Sequence, residues 1–199
     1  NAKAIELWRK AAEQGHAKAQ FILGQDDAQE AVEWYRKEAE LGIAGAQFNL
    51  GLRYEQGRGI RQDDAQAVEW YRKAAEQGFA DAQSKLGLMY DQGKGVRQDD
   101  AKAVEWYRKA AEQGQAKAQY NLGAMYAKGK GVRQDDAKAV EWFRKAAEQG
   151  IAQAQYILGL MYDQGKGVRQ DDAQAVKWWR KAAEQGHTNA QKNLKILTK

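Results

Sequence analysis

The sequence predicts an all-α solenoid built by repeating one helix–turn–helix unit of 36 residues. Three observations carry this reading. Trp34, Trp70, Trp106, Trp142 and Trp178 follow one another at a constant interval of 36 residues. The text around them barely changes: Gly93–Gly114 reads GKGVRQDDAKAVEWYRKAAEQG and Gly129–Gly150 reads GKGVRQDDAKAVEWFRKAAEQG. Within each unit, apolar positions recur at spacings of three and four, the period of one helix face. Such a repeat marks a stacked array rather than a globule around one core.

The first helix of a unit is expected from about Ala80 to Gln92, ADAQSKLGLMYDQ. Ala82, Leu86, Met89 and Tyr90 share one face. Gly87 inside it costs roughly 1 kcal/mol of helix propensity. Its recurrence at Gly51, Gly123 and Gly159 therefore points to close helix–helix approach. Gly93 supplies the left-handed residue that ends the helix. The second helix starts after Asp99 and Asp100, whose carboxylates suit the free amides and positive end of a helix N-terminus. Ala103, Trp106, Tyr107, Ala110 and Ala111 are expected as its buried stripe, with Arg108 and Lys109 off it. Gly114 closes the unit.

This pattern, LG-x-MY-x-x-G-x-GV-x-x-DD-x-x-A-x-x-WY-x-KAAEQG, resembles the Sel-one-like repeat (SLR) family, a relative of the tetratricopeptide repeats. The resemblance covers essentially the whole chain. It implies a right-handed superhelix of antiparallel helix pairs with a concave groove, about 12 helices in all. It also implies a protein-binding scaffold or adaptor.

One array is expected over residues 1–199: partial and truncated repeats at 1–40, regular repeats at 41–186, and a capping helix at 187–199. Trp8 matches the repeat tryptophan, so the chain begins in a second-type helix. The interval from Trp8 to Trp34 is 26 residues, ten short. The text jumps from Leu23-Gly24 to Gln25-Asp26-Asp27, omitting the loop. Either the chain turns tightly there, or two helices fuse from about Ala17 to Glu40. Phe21, Gly24, Ala28, Ala31 and Tyr35 keep helical spacing across the junction, which favours fusion. An apolar face exposed by fusion would need cover, which a second copy could supply by swapping. At the other end, Lys195 replaces the packing glycine, as a polar cap would require.

Composition excludes much chemistry. The chain has no Cys, which removes disulfides and thiolate metal sites. It has two His near opposite ends, one Ser and two Thr, so nucleophilic catalysis has almost no candidates. No enzyme, cofactor or metal is expected. A net charge of +5, from 32 basic and 27 acidic residues, is too weak to argue for nucleic acid alone. No apolar run approaches the roughly 20 residues that span a bilayer. The start at Asn1, inside a repeat and without Met, fits a trimmed or processed product, so bacterial cytoplasm and export both stay open.

Repeated polar residues have structural readings. The pairs Asp63/Asp64, Asp99/Asp100, Asp135/Asp136 and Asp171/Asp172 read as helix caps rather than general acids or calcium ligands. The Gly-x-Gly loops follow helices rather than strands, so they read as turns and not phosphate cradles. The tryptophans could form a stacking ladder but read as core. Arg61, Arg97, Arg133 and Arg169, with Lys94, Lys130 and Lys166, form a loop edge that could bind an anionic polymer weakly; a solvated edge is the favoured reading.

The partner surface comes from similarity to tetratricopeptide grooves. Two residues before the Leu-Gly leucine stand Phe48, Ser84, Tyr120 and Tyr156. Directly after the glycine stand Leu52, Leu88, Ala124 and Leu160. Glu55, Asp91 and Asp163 follow three residues on. This aromatic–aliphatic stripe beside carboxylates would suit a peptide or protein segment of unknown identity; packing between repeats is the equal alternative. Asn49, Lys85 and Asn121, just before the leucine, could form a partial carboxylate clamp to which Lys117 could add charge, with Lys128 also counted on the partner surface; asparagine bonding to neighbouring backbone is the favoured alternative.

Overall fold

The structure is a computed structural model that describes residues 28–197. They form ten helices: α1 (Ala28–Glu40), α2 (Ala44–Gln56), α3 (Asp64–Glu76), α4 (Ala80–Gln92), α5 (Asp100–Glu112), α6 (Ala116–Lys128), α7 (Asp136–Glu148), α8 (Ala152–Gln164), α9 (Asp172–Glu184) and α10 (Thr188–Leu197). Among the described residues there is no strand, and no helix is long and apolar enough to cross a membrane. The expected helices before Ala28, and residues 17–27 of the expected fusion, lie outside the described residues.

The chain divides into two compact units, with the boundary inside α4. Of the described residues, one unit comprises 28–82 together with Lys94–Val96; the other comprises Gln83–Gly93 together with 97–197. In the first, α1 packs on α2 and α2 on α3. In the second, each helix from α5 to α10 packs on its neighbour in sequence. That is the pairwise stacking of a repeat array.

The paired aspartates divide their labour. The first of each pair is the N-cap. Asp99 and Asp135 sit in extended backbone and accept, at 3.0 Å, the backbone N–H of Lys102 and Lys138. The second is not a cap. Asp64, Asp100 and Asp136 instead meet the loop lysine of the following repeat: Lys94 at 3.2 Å, Lys130 at 3.2 Å and Lys166 at 3.6 Å. A loop glycine brings the lysine there. Gly131 has φ +67°, and a Cβ on it would overlap the Asp100 carbonyl.

Helix pairs close on glycine. A Cβ on Gly123 would lie 2.9 Å from the Phe143 ring, and Gly51 and Gly87 stand in the same relation to Tyr71 and Tyr107. Leu50, Leu86 and Leu122, beside these glycines, and Leu158, beside Gly159, are fully buried. The expected stripe of the second helix needs one correction. Val104 is buried, whereas Trp106 is only half-buried. Residues 103, 104, 107, 110 and 111 already complete one helical face, so Trp106 falls at its margin. There it lies flat under its own helix's lysine, with Lys109 Nζ 4.2 Å from the ring centroid. Trp70 and Trp142 repeat this arrangement.

A polar chain crosses the core. Gln119, 4% exposed, donates to the Ala111 carbonyl of the preceding repeat at 3.1 Å and accepts from Gln149 at 2.7 Å. Gln47 and Gln155 do the same with Ala39 and Gln77, and with Ala147 and Gln185. Each amide thus adds a second donor to a helix C-terminal carbonyl that already accepts the N–H of the glycine three residues on, at 3.0–3.1 Å.

Two predictions follow from these contacts. Gly131→Ala should cost about 3 kcal/mol or more, through a left-handed φ and a backbone clash together. Gly114→Ala, with φ +89° and nothing within 4 Å, should cost only the conformational penalty of about 1–2 kcal/mol. Urea unfolding followed by helicity checks the order. The second concerns acid. Backbone N–H donors, that of Lys102 or Lys138 first, hold the Asp99 and Asp135 carboxyls below the usual carboxylate range. Their stabilisation is fully present above the unfolded pKa of about 3.9 and is lost as pH falls through the lower folded value. An Asp99→Ala/Asp135→Ala chain should therefore be weaker at pH 7 and lose less of its urea midpoint between neutral and strongly acidic pH.

Candidate functional site

The aromatic positions of the first helices are braced on one edge and open on the other. In the first unit, the Phe48 ring on α2 lies 5.7 Å from Tyr71 and 5.3 Å from Phe79, and is half-buried. In the second unit, Tyr120 on α6 lies 5.7 Å from Phe143. Tyr156 on α8 stacks on His187 at 4.5 Å, and its carbonyl accepts from the Trp179 indole at 3.2 Å. Tyr120 and Tyr156 both stay half-buried, and burial pushes the Tyr120 phenol up. Ser84 departs from this pattern: it is buried, with 8% exposed, and offers little surface.

The aliphatic positions Leu52, Leu88, Ala124 and Leu160 are each half-buried. Leu160 also packs against the cluster of Ala175, Trp179, Ala182 and Ala190. Asn49, Lys85 and Asn121 are half-buried, while Lys117 and Lys128 are exposed. Asn121 lies beside the Tyr107 phenol, but no hydrogen bond of normal geometry closes there.

The carboxylates serve the array first. Glu55 accepts from the Tyr71 phenol at 2.5 Å and lies 3.8 Å from Lys94. Asp91 pairs with Lys130 at 2.5 Å, and this bond, first, pushes the lysine pKa up. The loop edge is therefore less basic than the sequence suggests, because Lys94 and Lys130 are each held between two carboxylates. Asp163 is half-buried and has no such partner among the described residues.

Sequence reasoning missed a set of inter-repeat contacts. Arg108 on α5 donates to the Tyr126 hydroxyl on α6 at 3.1 Å, and Arg144 to Tyr162 at 2.8 Å. The signal was present in the constant interval between the tyrosines and between the arginines. It was masked because Arg108 lies off the buried stripe. The glutamine chain escaped for a related reason: glutamine on a predicted core face has no pattern weight. Among the described residues, no group of three or more His, Asp or Glu could hold a metal ion.

The Sel1 repeat model matches residues 1–16, 17–43, 44–79, 80–115, 116–151 and 152–187. The short second match coincides with the ten-residue deletion. A protective antigen of uropathogenic Escherichia coli displaying an SLR fold is 44% identical, with a TM-score of 0.88, over 96% of this chain and 43% of that one. A Sel1 repeat protein of Oxalobacter formigenes is 41% identical, with a TM-score of 0.87, over 98% of this chain and 59% of that one. An immunity protein of Pseudomonas aeruginosa is 25% identical, with a TM-score of 0.54, over 94% of this chain and 68% of that one. The chain thus spans about half the length of the first two. No curated protein matches it. Sel1 repeat proteins are in general non-enzymatic scaffolds for protein interactions. The 36-residue helix pair, its glycine contacts and six matched repeats together place this chain in the Sel1 repeat family, as an all-α solenoid.

Proposed function

We propose that the chain is a non-enzymatic scaffold that holds a protein or peptide segment against its first helices. The observation that supports this is the pair Tyr120 and Tyr156. They occupy the same position in successive repeats, and each is braced on one edge while the other stays open. Half-buried Ala124 and Leu160 lie one turn further on. Rigid aromatic rings with little rotamer entropy left to lose are favourable anchors for a partner. The family's general role as interaction scaffolds points the same way. Asn121 and Lys85 would add polar contacts beside the rings, with Lys117 and Lys128 supplying positive charge. With a partner purified by salt-resistant capture, Tyr120→Ala/Tyr156→Ala should weaken binding at least roughly tenfold, about 1.4 kcal/mol. Glu105→Ala/Glu141→Ala on the second helices should leave it unchanged. Equal affinity for both variants, with helicity intact, would sink the reading.

A second reading, self-association through the truncated repeat, is favoured by Leu41 and Ile43, 77% and 47% exposed beside it. If it holds, the chain sediments as a dimer at high concentration and Leu41→Ser/Ile43→Ser returns it to a monomer. A concentration-independent monomer removes it.

A further inference from the structure

In the second unit, α5, α6, the following loop and the start of α7 line a pocket of about 540 Å³. Its wall carries Arg108, Tyr126, Arg133, Asp135 and Lys138. Three cations therefore face one carboxylate. That carboxylate is already engaged: Asp135 accepts the backbone N–H of Lys138 at 3.0 Å and lies 3.5 Å from its ammonium. Arg133 is exposed, and among the described residues no hydrogen bond or ion pair engages it. Tyr126 accepts from Arg108 at 3.1 Å, so its own phenolic proton is not spent in that bond. Two guanidinium groups, an ammonium and a hydroxyl donor thus border one space.

We propose that this pocket binds an anion, and that the anion is a carboxylate side chain on an acidic segment of a protein partner. Arginine presents a planar fork of donors that matches a carboxylate. Asp135 in the wall penalises a dianion such as phosphate more than a monoanion, because like charges at short range repel. The volume also exceeds what a small inorganic ion needs, since a water molecule takes about 30 Å³. The next repeat carries most of the same constellation. Arg144 donates to Tyr162 at 2.8 Å and Arg169 is exposed, but Gln174 stands where Lys138 does. Spaced carboxylates on one extended segment would meet successive pockets, the Lys138 pocket holding more tightly.

The inference rests on the protein-partner reading but uses residues other than Tyr120 and Tyr156, so the two fail separately. The test is calorimetric titration of the full chain, at low salt, with a peptide of alternating Glu and Ser. Arg108→Gln/Arg133→Gln should weaken binding roughly tenfold or more. Arg36→Gln/Lys37→Gln, which removes the same charge from exposed positions on α1, should change it little. Equal weakening by both pairs would make the effect general electrostatics and overturn the site. Tighter binding of inorganic polyphosphate than of the peptide would overturn the carboxylate assignment. A peptide that fails to bind the unaltered chain would overturn the pocket and leave the tyrosine face to its own test.

Discussion

The Asp100 carbonyl lies in the space that a Cβ on Gly131 would fill, and much of the inter-repeat geometry follows from that contact. The loop after each first helix must come down onto the N-terminus of the preceding second helix. Only a residue without a side chain can approach so closely at a positive φ. Once it does, the lysine before the glycine reaches the second aspartate of the preceding pair, and the first aspartate is left to cap its own helix. The same approach carries Arg133 and Asp135 into one wall with Arg108 and Tyr126. Repeat contact and candidate anion site thus share a backbone cause.

Variation between repeats is correlated across helices. Glu55 faces Tyr71 and bonds its phenol. In the next repeat the acid is Asp91, one methylene shorter, and the buried Tyr107 hydroxyl has no hydrogen-bond partner of normal geometry. Asp91 instead holds Lys130. In the third, Ala127 and Phe143 replace acid and phenol together, so neither a carboxylate nor a hydroxyl is left to satisfy. In the fourth, Trp179 turns its indole N–H to the Tyr156 carbonyl. Burying an unsatisfied polar group costs about 1–3 kcal/mol, which makes the joint loss in the third repeat the consistent solution. The lysine that loses its acid in this way, Lys166, is also more exposed than Lys130, 46% against 34%.

The helix pairs were legible because glycine, aspartate and the apolar period all place boundaries at the same residues. The bounds Ala80–Gln92 and the start after Asp99 follow directly from capping chemistry. The core was legible except at Trp106. Hydrophobic rank put that residue inside, while angle around the helix put Val104 there. The glutamine chain was not legible, because a buried amide is decided by the carbonyl it meets in another repeat. The candidate face was legible only in part. The sequence could name Tyr120 and Tyr156 by register, but it could not show that a second-helix ring or His187 braces each one. Nor could it show that Ser84, at the same register, is covered.

That difference bears on how such an array would recognise a partner. The capping aspartates, the loop glycines and the glutamines are nearly constant, so they set the spacing of whatever lies on the first helices. Ser84, Tyr120 and Tyr156 share one register yet differ in size and exposure, so a bound segment would meet a different surface at each step. An anion pocket placed between repeats would add charge at that same spacing, and Gln174 in place of Lys138 would grade it along the second unit. A partner segment would then be read twice, by apolar contact on the first helices and by charge at the loops. Neither contact is demanding alone, and specificity would come from matching both at one interval.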